Sequence, residues 1–380
     1  MTSNFWESSH YNHWIIDRIT LGQSREDDLR HATAEQLAVI NIFFANMIAR
    51  LGKRLGIRAQ VVATAIVFFK RFYLKNNICE TDPYVVVPTC LYVATKIEEV
   101  PLHFKPIATE TKNMYVQDYG LQITMPDPQS IAEMEFYLLE DLDFHLIVHH
   151  PYRTLMQLCG ESNASRAVGE SEEGEAGEAP VEGMRFWSTG KGTLQFEEAA
   201  RSQAWSVHLG CRCAIPQTHA WNRHIINDTL RGDFCLLYHP HLIGIAAIFL
   251  TLVLDGDSRN RTDETEAPSR GYATRSKAPC DPPPNPVDFL ASLNVSYNTI
   301  AQIVQEIISL WTLWGRHLVG EADTDRKGLQ TSRSGNQGMS DDDVIRKLVD
   351  MHRARKRDEQ NGVQSRLFEK PKPPKPVKKQ

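Results

Sequence analysis

Pro88-Thr89-Cys90-Leu91-Tyr92-Val93-Ala94-Thr95-Lys96-Ile97-Glu98-Glu99 carries an apolar helical pattern into a cluster of charge. Val87, Leu91 and Ala94 recur at helical spacing and mark a core-facing stripe, with Ala94 small enough for a close helix crossing. Lys96 falls one turn past the apolar centre, where a lysine is held by a carboxylate or by water at its tip. The helix dipole also favours a cation there, so a solvated helix end is the plain alternative. A second stretch bears on that choice. Ile131, Met134, Leu138 and Leu142 form another apolar stripe, and Glu135 lies beside it.

Outward from these two stretches the pattern stays helical. Thr33 with Gln36 offers a capping box opening a helix whose stripe is Leu37, Ile40, Phe44, Met47, Ile48 and Leu51. Val62, Ala65, Ile66, Phe69 and Tyr73 repeat the stripe over 58–75, leaving Lys70 and Arg71 to the other face. Asp82-Pro83 starts a third helix, since proline is tolerated in the first turn. Residues 103–112 and 130–143 complete five. After Pro151 come helices over 217–231, 240–254 and 297–314, the last with Ile300, Ile303, Val304, Ile307, Leu310 and Trp311. Alternating strand patterns are scarce, so the fold class is all-α. Pro88 and Pro240 each precede an alanine by six residues, Ala94 and Ala246, which reads as an internal repeat. In that register Ile248 stands against Lys96. The repeat keeps the packing residue and drops the charge, which assigns Lys96 a task beyond the fold.

The remaining segments divide by composition. Phe5, Trp6, Trp14, Ile15 and Ile16 suggest a short helix docking through its aromatics, with Trp6 and Trp14 either filling a gap in the first core or facing a partner. Residues 23–30 read as a charged linker. Residues 161–183, rich in Glu, Gly, Ala and Ser, and 255–286, rich in Ser, Thr, Asp, Arg and Pro, bury too little apolar surface to offset the entropy of ordering. Residues 193–213, with Leu194, Phe196, Trp205 and Leu209, form either a surface helix or nothing ordered. In the tail, Ser340 with Asp343 offers a capping box before Val344, Leu348 and Met351, hence a short amphipathic helix. Arg353-Ala354-Arg355-Lys356-Arg357 and the Pro/Lys-rich residues 370–380 read as disordered basic sequence. A nuclear import signal, a solubilising tail and nonspecific contact with nucleic acid are its candidate uses.

Composition excludes several classes. The longest apolar run, 242–254, falls short of the roughly 20 residues that span a bilayer, and no basic start followed by an apolar segment marks a secretory signal. Seven cysteines spread among apolar residues read as reduced thiols. A net charge of −5 argues against a duplex-DNA binder held by phosphate contacts. Neither a Gly-rich phosphate loop, a nucleophile elbow, a metalloprotease pattern nor a kinase signature set occurs. Cys211 and Cys213 with His208 and His219 invite a zinc reading, but a one-residue gap is unlike the usual spacing of a structural site. His149, His150, His239 and His241 lie beside prolines at helix starts and read as turn residues.

Two of the runs, Ala94-Thr95-Lys96-Ile97-Glu98-Glu99 and Met134-Glu135-Phe136-Tyr137-Leu138-Leu139-Glu140, resemble the cyclin box. Asn4-Phe5-Trp6 through His10, Phe69-Lys70-Arg71-Phe72-Tyr73, His150-Pro151-Tyr152-Arg153, Ile226-Asn227-Asp228-Thr229 and Cys235-Leu236-Leu237-Tyr238 extend the likeness to the C-type cyclins of the Mediator kinase module, over 4–158 and about 217–315. The resemblance implies tandem five-helix cyclin boxes with an N-terminal helix and a disordered C-terminal tail. Its parts are a helix and linker over 1–30, a first box over 31–147, and a second over 148–320 interrupted at about 161–215 and 255–286. A mostly disordered tail follows over 321–380. It implies a non-catalytic subunit that binds and activates a cyclin-dependent kinase through Lys96 and Glu135, with Ile97 and Leu139 in the apolar centre of the interface. Other Mediator kinase-module subunits and, indirectly, RNA polymerase II are the further partners, in the nucleus, with no cofactor, no membrane and no sequence-specific nucleic-acid binding. Residues 37–44 lack the Met-Arg-Ala-Ile-Leu motif with which some cyclins dock cell-cycle substrates. A cyclin-fold adaptor resembling transcription factor IIB, which needs a basic stripe on the second repeat, and a cyclin of another transcriptional kinase are the alternatives. Deleting residues 161–183 is expected to leave helical circular dichroism and kinase activation unchanged.

Overall fold

In the computed structural model, which describes residues 4–121, 127–154, 225–263, 286–291, 293–324 and 339–368, every regular element is helical. After a 3-10 turn at Phe5–Glu7 come three short helices, α1 (Ser9–Trp14), α2 (Arg18–Ser24) and α3 (Glu26–Leu29). The side chains of Ser8 and Asp17 cap α1 and α2 by accepting from the backbone N–H groups of Tyr11 and Thr20. Five helices then form the first unit: α4 (Ala34–Arg54), α5 (Ala59–Lys75), α6 (Pro83–Ile97), α7 (Phe104–Tyr119) and α8 (Pro128–Asp141). The Thr33–Gln36 capping box is closed in both directions. The helix expected over 103–112 runs further, to Tyr119, because the residue able to stop it is Gly120 in the left-handed region at φ 59°.

The second unit comprises α9 (Ile225–Thr229), α10 (Phe234–Leu237), α11 (Pro240–Asp263), α12 (Pro286–Ala291) and α13 (Tyr297–Thr324). The loop expected from residue 255 therefore begins as a continuation of α11, and the helix expected over 297–314 extends to Thr324. The expectations for 161–183, 193–213 and the Cys211/Cys213 set fall outside the described residues. The last helix, α14 (Asp341–Phe368), follows the capping box between Ser340 and Asp343. It is longer than the short helix expected there, and Arg353–Arg357 lie within it. Its stripe explains the gain in order: Val344, Leu348 and Met351 are buried, and α14 packs on α4. Arg355 approaches Glu80 at 3.9 Å and Asp358 approaches His31 at 3.6 Å.

The centre of the first unit is α5, which is buried on every side from Val61 to Tyr73. Lys70 and Arg71, expected on an open face, are both inside. A buried cation is costly unless its hydrogens are taken up; here backbone carbonyls take up part of that demand, while Arg71 Nε and one of its terminal nitrogens are buried without a partner. Lys70 Nζ donates to the Gly232 carbonyl at 2.6 Å, and one Arg71 nitrogen donates to the His145 carbonyl at 3.1 Å. Arg71 also lies 5.0 Å from the centre of the Trp14 ring. Burial pulls its guanidinium down to about 9.

The segment expected to be a linker, 23–30, is also structural. Asp28 is buried and accepts from the backbone N–H groups of Ile78 and Cys79, at 3.1 Å each, in the turn between α5 and α6. Arg25 grips Asp233 with two hydrogen bonds at 2.7 and 2.8 Å, and Lys70 lies 3.5 Å from the same carboxylate. Asp233 thus binds the N-terminal segment and α5 to the second unit. Burial alone would raise its carboxyl, but Lys70 and Arg25 hold it well below the usual carboxylate range.

Pro88 lies inside α6, where it cannot donate to the carbonyl one turn earlier. That carbonyl, of Tyr84, accepts instead from the Tyr115 hydroxyl on α7 at 2.8 Å. The helix crosses a proline because a neighbour supplies the missing donor.

Two outcomes follow from these contacts. Leu348→Ala is expected to weaken the docking of α14 by about 2–5 kcal/mol. Hydrogen exchange should then accelerate at residues 344–351 and not in α5. Asp233→Asn is expected to destabilise the protein by about 3–5 kcal/mol at pH 7, because it leaves buried cations uncompensated. A depressed carboxyl lends stability above its unfolded pKa of about 4 and loses it as pH falls below, so the gap between variant and wild type in urea melts should close on acidification.

Candidate functional site

The packing of α6 against α8 brings the two singled-out charges together. Lys96 Nζ donates to Glu135 Oε1 at 2.5 Å, and the ammonium lies 4.1 Å from the centre of the Tyr92 ring. The lysine side chain is 40% exposed and the glutamate 15%. Burial pulls the Lys96 ammonium down, but the hydrogen bond to Glu135 and the contact with Tyr92 outweigh it, so its pKa is raised. An exposed pair of this kind adds only about 0–1 kcal/mol to stability. Fold stability is therefore a weak reason for the pair to be there.

The charged cluster that ends α6 is split. Glu98 turns inward: it accepts from the Thr64 hydroxyl at 2.6 Å and from the Gln60 amide at 2.8 Å. Thr64 also lies 2.8 Å from His150 Nε2. Because the hydroxyl has one proton and gives it to Glu98, the imidazole nitrogen is the donor in that contact. Burial raises the Glu98 carboxyl despite these bonds. Lys96 and Glu99 stay outside.

The same helices and the residues that follow α8 expose apolar side chains. Ile97 is 37% exposed, and Leu139 is partly buried against the core. Phe136 and Tyr137 on α8, then Phe144 and Ile147 just beyond it, are exposed, with Phe136 at 73% and Phe144 at 69%. Both helix ends carry strained backbone. Glu99 after α6 has φ 55°, and Asp143 and Phe144 after α8 have φ 50° and 56°. Each is a non-glycine residue in the left-handed region, at a cost on the order of 1 kcal/mol. Backbone bonds hold them there, Val100 N–H to the Thr95 carbonyl at 2.9 Å and Phe144 N–H to the Leu139 carbonyl at 3.1 Å. Sequence reading passed over Phe136, Tyr137, Phe144 and Ile147. The available signal was that these residues fall off the Ile131, Leu138, Leu142 stripe; the strain had no signal, since no glycine marks it.

Other sequence candidates lie elsewhere. Trp14 is buried over Arg71 and Lys75, so its indole fills the gap in the first core. Trp6 is half-buried, against Phe5, Tyr11 and His239. His149, His150, His239 and His241 are not simple turn residues. His149 and His150 are buried, and His149, His239 and His241 gather around Phe5. In the repeat, Ala94 and Ala246 are both fully buried, as is Ile248 at the position that matches Lys96. The prolines differ, Pro88 lying inside α6 and Pro240 opening α11. Among the described residues no three His, Cys, Asp or Glu side chains are placed to hold a metal ion, and no helix is long and apolar enough to cross a membrane.

The family model for the cyclin N-terminal domain matches residues 26–147. An RNA polymerase II holoenzyme cyclin-like subunit of Mycosarcoma maydis is 33% identical over 374 residues, covering 87% of this chain and 93% of the relative. Cyclin-C of Drosophila melanogaster is 30% identical over 323 residues, covering 83% and 91%. Among solved structures, a chain of the yeast TFIIK complex is 21% identical with a TM-score of 0.46, covering 80% of this chain and 99% of that one.

Proposed function

The chain belongs to the cyclin family, among the C-type cyclins and RNA polymerase II holoenzyme cyclin-like subunits, and from this premise we propose that it is the non-catalytic regulatory subunit of a cyclin-dependent Ser/Thr kinase. One observation carries the reading: the Lys96–Glu135 pair lies at the surface where α6 packs on α8, and the same two helices and the residues just beyond α8 expose Ile97, Phe136, Tyr137 and Phe144. Exposed aromatic surface of this kind marks an interaction site, and a partly covered charge pair gains strength when a partner excludes water and adds hydrogen bonds.

The partner that fits is the mobile regulatory helix of the kinase. Docked here, it moves to where its glutamate pairs with the ATP-binding lysine and completes the phosphoryl-transfer site. Driving a kinase from about 1% to 99% active takes roughly 5.5 kcal/mol of differential binding. Ile97 and Leu139, already partly covered, supply part of this, and covering the largely exposed Phe136 and Phe144 supplies more, since each fully covered large apolar side chain contributes about 1.5–3 kcal/mol. The strained ends of α6 and α8 fix the shape of the face before the kinase arrives, which lowers the entropy lost on docking.

The name of one relative, RNA polymerase II holoenzyme cyclin-like subunit, supports a kinase that acts in transcription by that polymerase. A kinase of the Mediator kinase module, with other module subunits as neighbours and the C-terminal domain of RNA polymerase II as a substrate, is the corresponding assembly, located in the nucleus. Affinity purification from nuclear extract tests this, comparing wild type with Lys96→Glu and assaying the eluate on a polymerase C-terminal-domain peptide. Wild type should recover a kinase and Mediator subunits, and Lys96→Glu should lose both while its helical circular dichroism is unchanged. Equal recovery of kinase by the two proteins sinks the assigned interface, and polymerase recovered without kinase activity sinks the regulatory role.

A further inference from the structure

Phe5 is fully buried, and histidine rings surround it. The ring centres of His149, His10, His239 and His241 lie 5.4, 5.7, 5.7 and 6.4 Å from that of Phe5. Trp6 closes the outer side, 5.3 Å from His239 and 5.7 Å from His241. The histidines also stack in pairs, His10 with His149 at 5.9 Å and His239 with His241 at 5.5 Å. They come from three places in the chain: α1, the segment leaving α8, and the residues on either side of Pro240 at the start of α11. The N-terminal residues are thus wedged into the seam between the two units, and aromatic packing holds them.

The cage has a fixed proton arrangement at one point. The His149 backbone N–H donates to His10 Nδ1 at 3.0 Å, so that nitrogen must be unprotonated. A proton on it would set donor against donor. Among the described residues, Arg71 on α5 and Arg153 beyond His149, both cations, act on the cage. His150 stands next to His149 and is engaged with Thr64, whose hydroxyl serves Glu98. From the second unit, Cys235 presents its backbone to His10. Added positive charge here meets other positive charge in a buried aromatic setting, which is unfavourable on both counts.

We infer that the N-terminal segment is a proton-sensitive latch, seated across the seam while the histidine cage is neutral and released when the cage takes up protons. Burial first, then the neighbouring cations, hold His149 down at about 4 and His10 well below its ordinary value, while burial and His239 hold His241 down at about 4. A histidine depressed in the folded state lends stability above its unfolded pKa of about 6.5 and loses it as pH falls towards the folded value. The working window is therefore about pH 6.5 down to 4. Release stays local for two reasons. The α4, α5 and α6 helices contain no histidine. The ion pairs that hold α2 and the start of α3, Arg18 with Glu306 and Arg25 with Asp233, use carboxylates, and Asp233 stays ionised through this range. The latch does not depend on the kinase reading.

Hydrogen exchange of the full chain, corrected for the intrinsic effect of pH, tests it. Between pH 7 and pH 5, residues 5–14 should lose protection by about tenfold relative to α5. In the His149→Phe/His241→Phe double variant that loss should shrink by about half, because the cage keeps its rings and loses two of its four titrating groups. Retained protection at pH 5, loss in step with α5, or an equal loss in the variant each overturn the latch. Should the double variant fail to fold, His241→Phe alone, at the more open side of the cage, is held to the same criterion with a partial effect.

Discussion

Two adjacent cations inside the most buried helix have to be satisfied, and the acceptors they use belong to other parts of the chain. Lys70 reaches the Gly232 carbonyl and Asp233 in the second unit, while Arg71 reaches the His145 carbonyl in the segment leaving α8. The desolvation of each cation is costly, so α5 stays buried only while these segments stay in place. Asp233 then takes Arg25 as well, and through it the N-terminal segment. One helix dictates the positions of both units and of the α1–α3 run, and the face built on α6 and α8 inherits its geometry from that arrangement.

Much of this was legible in the residues and some was not. The five helices of the first unit followed from their apolar stripes and from cap residues such as Thr33, Gln36 and Asp82, because those signals act within one or two turns. The convergence of Lys96 with Glu135 was legible as two charges on two apolar stripes. The placement of Lys70 and Arg71 was not, because periodicity assigns charge to the open face, and the carbonyls that receive them are 74 to 162 residues away. Asp28 was hidden for the same reason: its partners, the N–H groups of Ile78 and Cys79, are 50 and 51 residues on. In α14 the capping box was visible in the sequence, but the surface of α4 that extends the helix was not.

The candidate site differs in kind from the scaffold beneath it. Beneath, Glu98 is matched within the chain by Gln60 and Thr64. At the surface the chain leaves Phe136 and Phe144 open and tolerates left-handed backbone at Glu99, Asp143 and Phe144. Local departures from good folding practice are the mark of a surface shaped for something other than its own stability.

Roughly 300 residues separate α4 from α14, yet the two pack together. A ribosome delivers α4 long before its cover. Between the two the nascent first unit must carry an apolar strip without α14 on it, during an interval when such strips recruit chaperones or neighbouring chains. Closing so long a loop adds little to the entropy already lost, because that cost grows only logarithmically with length. The penalty lies in timing: α4 is finished only when α14 has been made.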